Sequence, residues 1–183
     1  MRFDTVLVVL QRPAGGSGAD IPGFSIREAR DEDAAAYERD IGTDLAATVN
    51  QRLASSGSSC WIALSGGRIV HGSWVATKSA WVGEADRFFM VPPGDAYIYE
   101  SFTAPEIRGQ GVYPAVLAIV SARLAARGIS RLWIAAETTN HSSLRAIQKA
   151  GFTRSFEIGV RRRWGRTDVT VAEGAEPQLR KAS

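Results

Sequence analysis

The sequence predicts one domain of the α/β (α+β) class, a mixed sheet with helices packed against it. Two observations carry that expectation. Short apolar runs that read as strands interleave with segments whose apolar residues recur at helical spacing, in an order that mixes the two types. At 183 residues the chain is also long enough for one substantial core and short for two. Residues 1–183 are therefore read as a single domain, with an N-terminal strand and loop over 1–23 and a loose tail over 173–183.

In chain order, VLVVL (6–10) reads as a strand, and the glycine-rich AGGSGADIPG (14–23) as a loop leading to a strand around 24–27. Residues 31–40 and 44–54 read as surface helices, the second carrying Leu45, Val49 and Leu53 on one face. Strands over 60–64 and 68–76 flank a Ser-Gly-Gly turn and form a hairpin. Residues 78–94 read as a long ordered loop containing Trp81, Phe88, Phe89, Pro92 and Pro93. Long ordered loops are often functional, so this one is expected to face an acceptor, the alternative being that so apolar a segment simply caps the core. YIYESFT (97–103) is a further strand, 111–127 a helix stopped by Gly128, 131–136 an apolar strand, and 141–150 a helix closed by Gly151. Strands over 156–163 and 168–172 form a closing hairpin, with which a homodimer is compatible.

Composition narrows the function classes. The formal charge is +3, and Lys78, Lys149 and Lys181 are the only lysines among mostly arginine bases. Arginine suits planar anions. The bases are scattered apart from Arg161, Arg162 and Arg163, whereas a nucleic-acid binder concentrates them on one face, so no nucleic-acid partner is expected. Cys60 is the only cysteine and lies beside Trp61 in an apolar run, which fits a buried hydrophobe better than a nucleophile. No stretch approaches the roughly 20 apolar residues of a membrane span, and VLVVL lacks the surroundings of a signal sequence. A cytoplasmic protein with no membrane partner is expected. His71 and His141 are the only histidines and lie far apart in sequence, so no metal site is expected.

RGQGVYP (108–114) is the most informative stretch. It opens a helix apolar almost all round, through Val112, Ala115, Val116, Leu117, Ala118, Ile119 and Val120, which must be central and buried. Pro114 in the first turn costs nothing, because the amide it lacks has no intrahelical partner. The amides of Gly109, Gln110, Gly111, Val112 and Tyr113 are thereby free to meet an anion, and the helix dipole favours negative charge there. The stretch reads as a pyrophosphate cradle. It has neither the third glycine and acidic ribose partner of a dinucleotide site nor the Gly-Lys-Ser/Thr of a nucleotide-triphosphate loop.

FTAPEIRGQGVYPAVL resembles the cofactor motif of the GNAT N-acetyltransferase superfamily, with Arg108 and Gly111 at its key positions and Pro105 three residues earlier. NHSSLRAIQKAGF resembles the second hallmark, an asparagine followed by a helix that ends in Gly-Phe, through Asn140, Ser143, Lys149, Gly151 and Phe152. The resemblance spans roughly residues 24–172. It implies a GNAT-like mixed sheet in which the cofactor strand splays from its parallel neighbour, with the pantetheine arm of an acyl-coenzyme A in the gap. Phe102 and Thr103 would then offer backbone groups to that arm, residues 108–113 would hold the pyrophosphate, and Asn140 and Ser143 would lie near the arm's reactive end. Asn140 equally suits an N-cap without any ligand.

Acyl transfer to an amine needs the amine unprotonated and the leaving thiolate stabilised. Glu100, three residues before Thr103, lies where many members of the family carry a carboxylate. Partial burial between Ile98 and Phe102 would raise its pKa towards the working range. A carboxylate that only positions the acceptor, or that pairs with an arginine, is the equal alternative. The sequence departs from the family at Ile147, seven residues after Asn140, where a tyrosine often protonates the thiolate. Tyr113 is the candidate replacement, set against a ring that simply packs beneath the loop; Tyr99, Ser142 and His141 are weaker ones. A thiolate can also leave unprotonated, since its conjugate acid is not very weak.

The resemblance thus implies an acetyl-CoA-dependent N-acyltransferase acting on a small-molecule amine by direct attack in a ternary complex. Most of the five tryptophans read as core, but Trp74 and Trp81 flank the long loop and are candidates to line an acceptor pocket. A protein or peptide N-acetyltransferase would show an open groove at residues 78–95 instead, and a silent acyl-CoA sensor would bind cofactor without turnover.

Overall fold

The computed structural model of the chain describes residues 3–42, 52–171 and 177–181. The strands are β1 (Thr5–Pro13), β2 (Ser25–Glu28), β3 (Ser58–Ser65), β4 (Arg68–Ala76), β5 (Ser79–Val82), β6 (Arg87–Met90), β7 (Asp95–Thr103), β8 (Arg131–Glu137), β9 (Thr153–Arg163), β10 (Arg166–Val171) and β11 (Leu179–Arg180). The helices are α1 (Ala34–Ile41), α2 (Val112–Ala125) and α3 (His141–Lys149). Among the described residues, one large sheet runs in the order β10-β9-β1-β8-β7-β4-β3-β2 and a small one in the order β11-β6-β5. The mixed α+β class read from the sequence is the observed one. Of the helix expected over 44–54, residues 44–51 lie outside the described residues, and 52–54 are helical.

Strand alternation sorts the core into two layers. Val8 and Leu10 of β1 join Val116, Leu117 and Val120 of α2 and Leu144 and Ile147 of α3. Leu7 and Val9 point the other way, into a cluster with Ala80, Val82 and Phe89 of the small sheet and Trp133 of β8. Burying each such aliphatic side chain stabilises by about 1.5–3 kcal/mol. The all-apolar α2 is covered on its outer side by the glycine-rich loop. A Cβ on Gly18 would lie 2.6 Å from the Ile119 Cα, so this close approach requires glycine. The hydroxyl of Ser121 ties the loop down by accepting from Gly15 N at 3.0 Å.

Helix α1 packs Tyr37 and Ile41 on Trp74, Ile62 and Cys60. Trp74 is buried there as a core residue, its Nε1 donating to Tyr37 Oη at 3.2 Å. Burial pushes the Cys60 thiol up to about 12, which leaves it an inert hydrophobe. At the start of α1, Asp33 accepts from both Nη atoms of Arg27 at 2.7 Å and from the Arg30 amide at 2.7 Å. The Arg27 hydrogen bonds, with the Arg30 amide, hold its carboxyl below the usual range. Such a depressed group contributes stability above its unfolded pKa and loses it as pH falls through the folded value. Asp33→Asn is therefore expected to lower Tm by about 2–8 °C at pH 7, with the difference from wild type closing below about pH 4 in a melting series.

Two regions depart from the sequence reading. Residues 78–94 are no loop, because SAWV and RFFM pair as β5 and β6 around a GEAD turn. Ala80, Val82 and Phe89 face inward, and Phe89 stacks on Tyr97 at 4.0 Å, which fastens the hairpin to the large sheet. The tail is not loose throughout, since Leu179 and Arg180 of β11 pair with Phe89 and Phe88. Its polar composition hid a strand that depends on a distant partner.

The feature that positions the site is the junction of β7 and β8. They pair in parallel from Asp95 with Arg131 to Ile98 with Ile134, and no further. Beyond Ile98, β7 stays with β4 as far as Thr103 opposite His71. Gly72 faces Phe102 whereas Trp74 faces Tyr99, so β7 carries one extra residue there, and Glu100 takes a left-handed φ of 46°. This is a β-bulge at the mouth of the split.

Candidate active site

A cavity of about 570 Å³ opens between the end of β7, the turn before α2 and the first turns of α2 and α3. Of the predicted cofactor residues, Thr103, Arg108, Gly109, Gly111, Val112, Tyr113, Asn140 and Ser143 line it. Phe102 and Gln110 do not: Phe102 lies beneath the Arg108 guanidinium, 5.7 Å from ring centroid to Cζ, and the Gln110 amide turns towards Ile107 O at 3.4 Å. Among the described residues no acceptor meets the amides of Gly109, Gly111, Val112 or Tyr113. The glycines have φ of 82° and 79°, and a Cβ on either would stand in open space. A helix N-terminus with bare amides and open volume above it suits an anion.

Arg108 donates through Nε to Thr103 O at 3.0 Å, which folds the turn back onto β7. Arg145 and Lys149, one turn apart on α3, line the same cavity. The sequence reading passed over them as cavity groups; their four-residue spacing on the motif helix was the available signal. Asn140 is the N-cap of α3, its Oδ1 accepting from Ser143 N at 3.1 Å and Ser142 Oγ at 3.1 Å. Ile147 is completely buried in the core.

A second cavity, of about 290 Å³, lies against the neighbouring residues of β7. Tyr97, Tyr99 and Glu100 of that strand line it, with Trp81, Glu84 and Glu137. The expected burial of Glu100 between Ile98 and Phe102 is not met. The bulge turns its side chain outward, where it stays 50% exposed and is gripped by both Nη atoms of Arg52, Nη2 lying 3.1 Å from Oε1. Strict alternation would have placed it inside, and the one inserted residue breaks that alternation.

Across the β4–β7 pairing a line of polar side chains connects to the first cavity. His71 is fully buried, its Nδ1 2.7 Å from Thr103 Oγ1 and its Nε2 2.8 Å from Ser73 Oγ, which lies 2.8 Å from Ser101 Oγ. Burial alone lowers the His71 pKa to about 3, so the ring is neutral. Tyr113, the predicted acid, lines the same cavity as Ser101 and Ser143, and its ring centroid is 5.3 Å from that of His71. Burial raises the Tyr113 pKa, and the two serines partly offset that rise. Among the described residues no three metal-ligating side chains cluster, and no helix is long and apolar enough to cross a membrane.

Comparison with known proteins follows the same lines. The chain shares 16% identity and a TM-score of 0.60 with a GNAT-family acetyltransferase from Colwellia psychrerythraea, over 86% of this chain and 55% of that one. An aminoglycoside acetyltransferase from an uncultured soil metagenomic sample, solved with sisomicin, gives 13% and 0.56 over 70% of this chain and 87% of that one. An aminoglycoside N-acetyltransferase solved with CoA gives 18% and 0.56 over 70% and 91%. The chain thus spans only about half the length of the first of these, and identities this low speak for the fold alone. No curated protein sequence matches it. The profile of the acetyltransferase (GNAT) family matches residues 25–152, most of the sheet together with both glycine and asparagine motifs. The chain belongs to the GNAT family of acetyltransferases.

Proposed function

We propose that the protein transfers acetyl from acetyl-coenzyme A to a primary amine of a small molecule, by direct attack with both substrates bound. One observation carries this reading: the two cavities that share β7 have opposite charge. Among the described residues, Arg108, Arg145 and Lys149 line the first with no carboxylate beside them, and Glu84, Glu100 and Glu137 line the second, where Arg52 pairs with Glu100 from outside the lining. The first suits a pyrophosphate, held by the bare amides and the three cations. The second suits an ammonium group, with Trp81 and Tyr99 offering aromatic faces. Trp81, Val82, Gly83 and Glu84 wall one side of the second cavity, and its volume of about 290 Å³ suits a small acceptor. The structural relatives solved as aminoglycoside acetyltransferases are consistent with an amine of that size.

When bound, acetyl-coenzyme A supplies the activated acyl group. In the reading proposed here Glu100 takes the proton of the attacking amine from its place on the bulge, Arg52 keeps its carboxylate aimed, and Tyr113 donates to the leaving sulphur in place of a residue at Ile147. Titration of acetyl-coenzyme A into wild type and Arg108→Ala by calorimetry tests the first half. Affinity is expected to fall about 10- to 100-fold in the variant, and absence of binding in both proteins would remove the reading. A panel of small amines, followed by release of free thiol, tests the second half.

A further inference from the structure

The hairpin of β9 and β10 ends in a turn that the fold itself does not reward. Arg163 pairs with Arg166, so only Trp164 and Gly165 form the loop, and both have positive φ, 53° and 73°. That is the pattern of a type I′ turn, whose first position ordinarily holds asparagine, aspartate or glycine. For a bulky aromatic residue the left-handed region is strained. Trp164 is also 100% exposed, so no burial offsets the strain. A lone apolar residue at the surface calls for no explanation, but one set where its own backbone is strained does.

The charges around the turn add to its cost. Arg163 and Arg166 are directly opposite in the ladder, where like charges destabilise. A hollow of about 410 Å³ beside the turn brings Lys181 next to Gly165 and Arg166. The two carboxylates in its lining are already paired, Asp86 with Arg87 at 3.7 Å and Asp168 with Arg161 at 3.8 Å. Among the described residues, Arg163, Arg166 and Lys181 make no ion pair. One exposed turn thus gathers a bare indole and three unpaired cations.

We propose that this tip docks on an anionic phospholipid surface, with the Trp164 indole seated at headgroup level and Arg163, Arg166 and Lys181 against the phosphates. Indoles are enriched at that level of a membrane, and each basic residue near an anionic surface adds to the attraction. Such a surface asks for no matching shape, which suits a two-residue loop. A stable interface with another protein, a second copy included, takes roughly 20–30 residues a side, far more than this tip has. A nucleic acid would need the cationic track to continue, and the other arginines of the chain are scattered. The expectation of no membrane partner rests on the lack of an apolar span, which a surface contact does not require. One indole with three cations gives a weak, reversible and salt-sensitive attachment, independent of the acetyl-coenzyme A reading.

Co-sedimentation of the full chain with vesicles tests the proposal. Wild type is expected to bind vesicles of equal parts phosphatidylglycerol and phosphatidylcholine, to ignore phosphatidylcholine alone, and to be released by about 0.5 M salt. Trp164→Asn, which puts a residue suited to the turn in its first position, should weaken binding about 10-fold or more while leaving Tm as high or higher. Arg163→Gln with Arg166→Gln should weaken it about 30-fold. Arg123→Gln with Arg154→Gln removes the same charge away from the tip, Arg154 being at the far end of β9, and should change binding no more than about 3-fold. Failure of wild type to bind the anionic vesicles, binding indifferent to Trp164, or equal losses in the two double variants overturns the proposal. A Tm lowered by Trp164→Asn would show that the fold does reward the tryptophan, and overturns it as well. Tighter binding to a single-stranded oligonucleotide than to the vesicles, or a dimer in sedimentation equilibrium that Trp164→Asn dissolves, overturns lipid as the occupant.

Discussion

Glu100→Gln is expected to lower kcat about 10²- to 10⁴-fold at neutral pH, with the affinity for acetyl-coenzyme A unchanged. Glutamine keeps the size and the left-handed bulge position but cannot take a proton. The loss should shrink as pH rises towards the pKa of the amine, near 10 for an alkylamine, because the acceptor then arrives already unprotonated. Steady-state rates of thiol release from pH 7 to 10 would show it as converging profiles. Arg52 is the reason to insist on that comparison. A carboxylate held by a guanidinium can serve purely to shape the acceptor cavity, and in that case Glu100→Gln would raise the acceptor KM and leave the two pH profiles parallel.

Gly111→Val is expected to cut acetyl-coenzyme A affinity more than 100-fold while the chain stays folded. Two effects add. A φ of 79° is strained for any L side chain and worse for a β-branched one, at a cost of about 1–3 kcal/mol. The new side chain also projects into the open space above the amides, where the phosphates are proposed to lie. Calorimetry alongside a melting curve separates the two, since strain alone would lower Tm and leave binding in place.

How much of this could be read in the sequence depended on how local each signal was. The turn and the helix it opens were legible because their parts are consecutive: two glycines, a proline and an apolar helix lie within a few residues, and each dictates its own backbone. The asparagine helix was legible for the same reason. Glu100 was found as a residue but misplaced as a side chain, because one extra residue in β7 shifts everything after it and nothing in YIYESFT marks where the extra residue falls. The hairpin of β5 and β6 was read as a loop because its two short strands pack on Tyr97 of the next strand and on Trp133, far away in the chain, and neither contact shows in their own letters. His71, Ser73, Ser101 and Thr103 were invisible as a set. They meet only through the antiparallel register that puts His71 beside Thr103, and no spacing along the chain encodes that.

The pairing of Leu179 and Arg180 with β6 bears on how the protein should be handled. Through that strand the segment at 179–180 is stitched to the hairpin whose other strand presents Trp81 to the cavity proposed to take the acceptor. An affinity tag or fusion partner attached at that end would hang from the wall of the very cavity under assay and could pull the hairpin from the sheet. Acceptor screens therefore belong on material tagged at the amino terminus, where β1 is locked between β8 and β9.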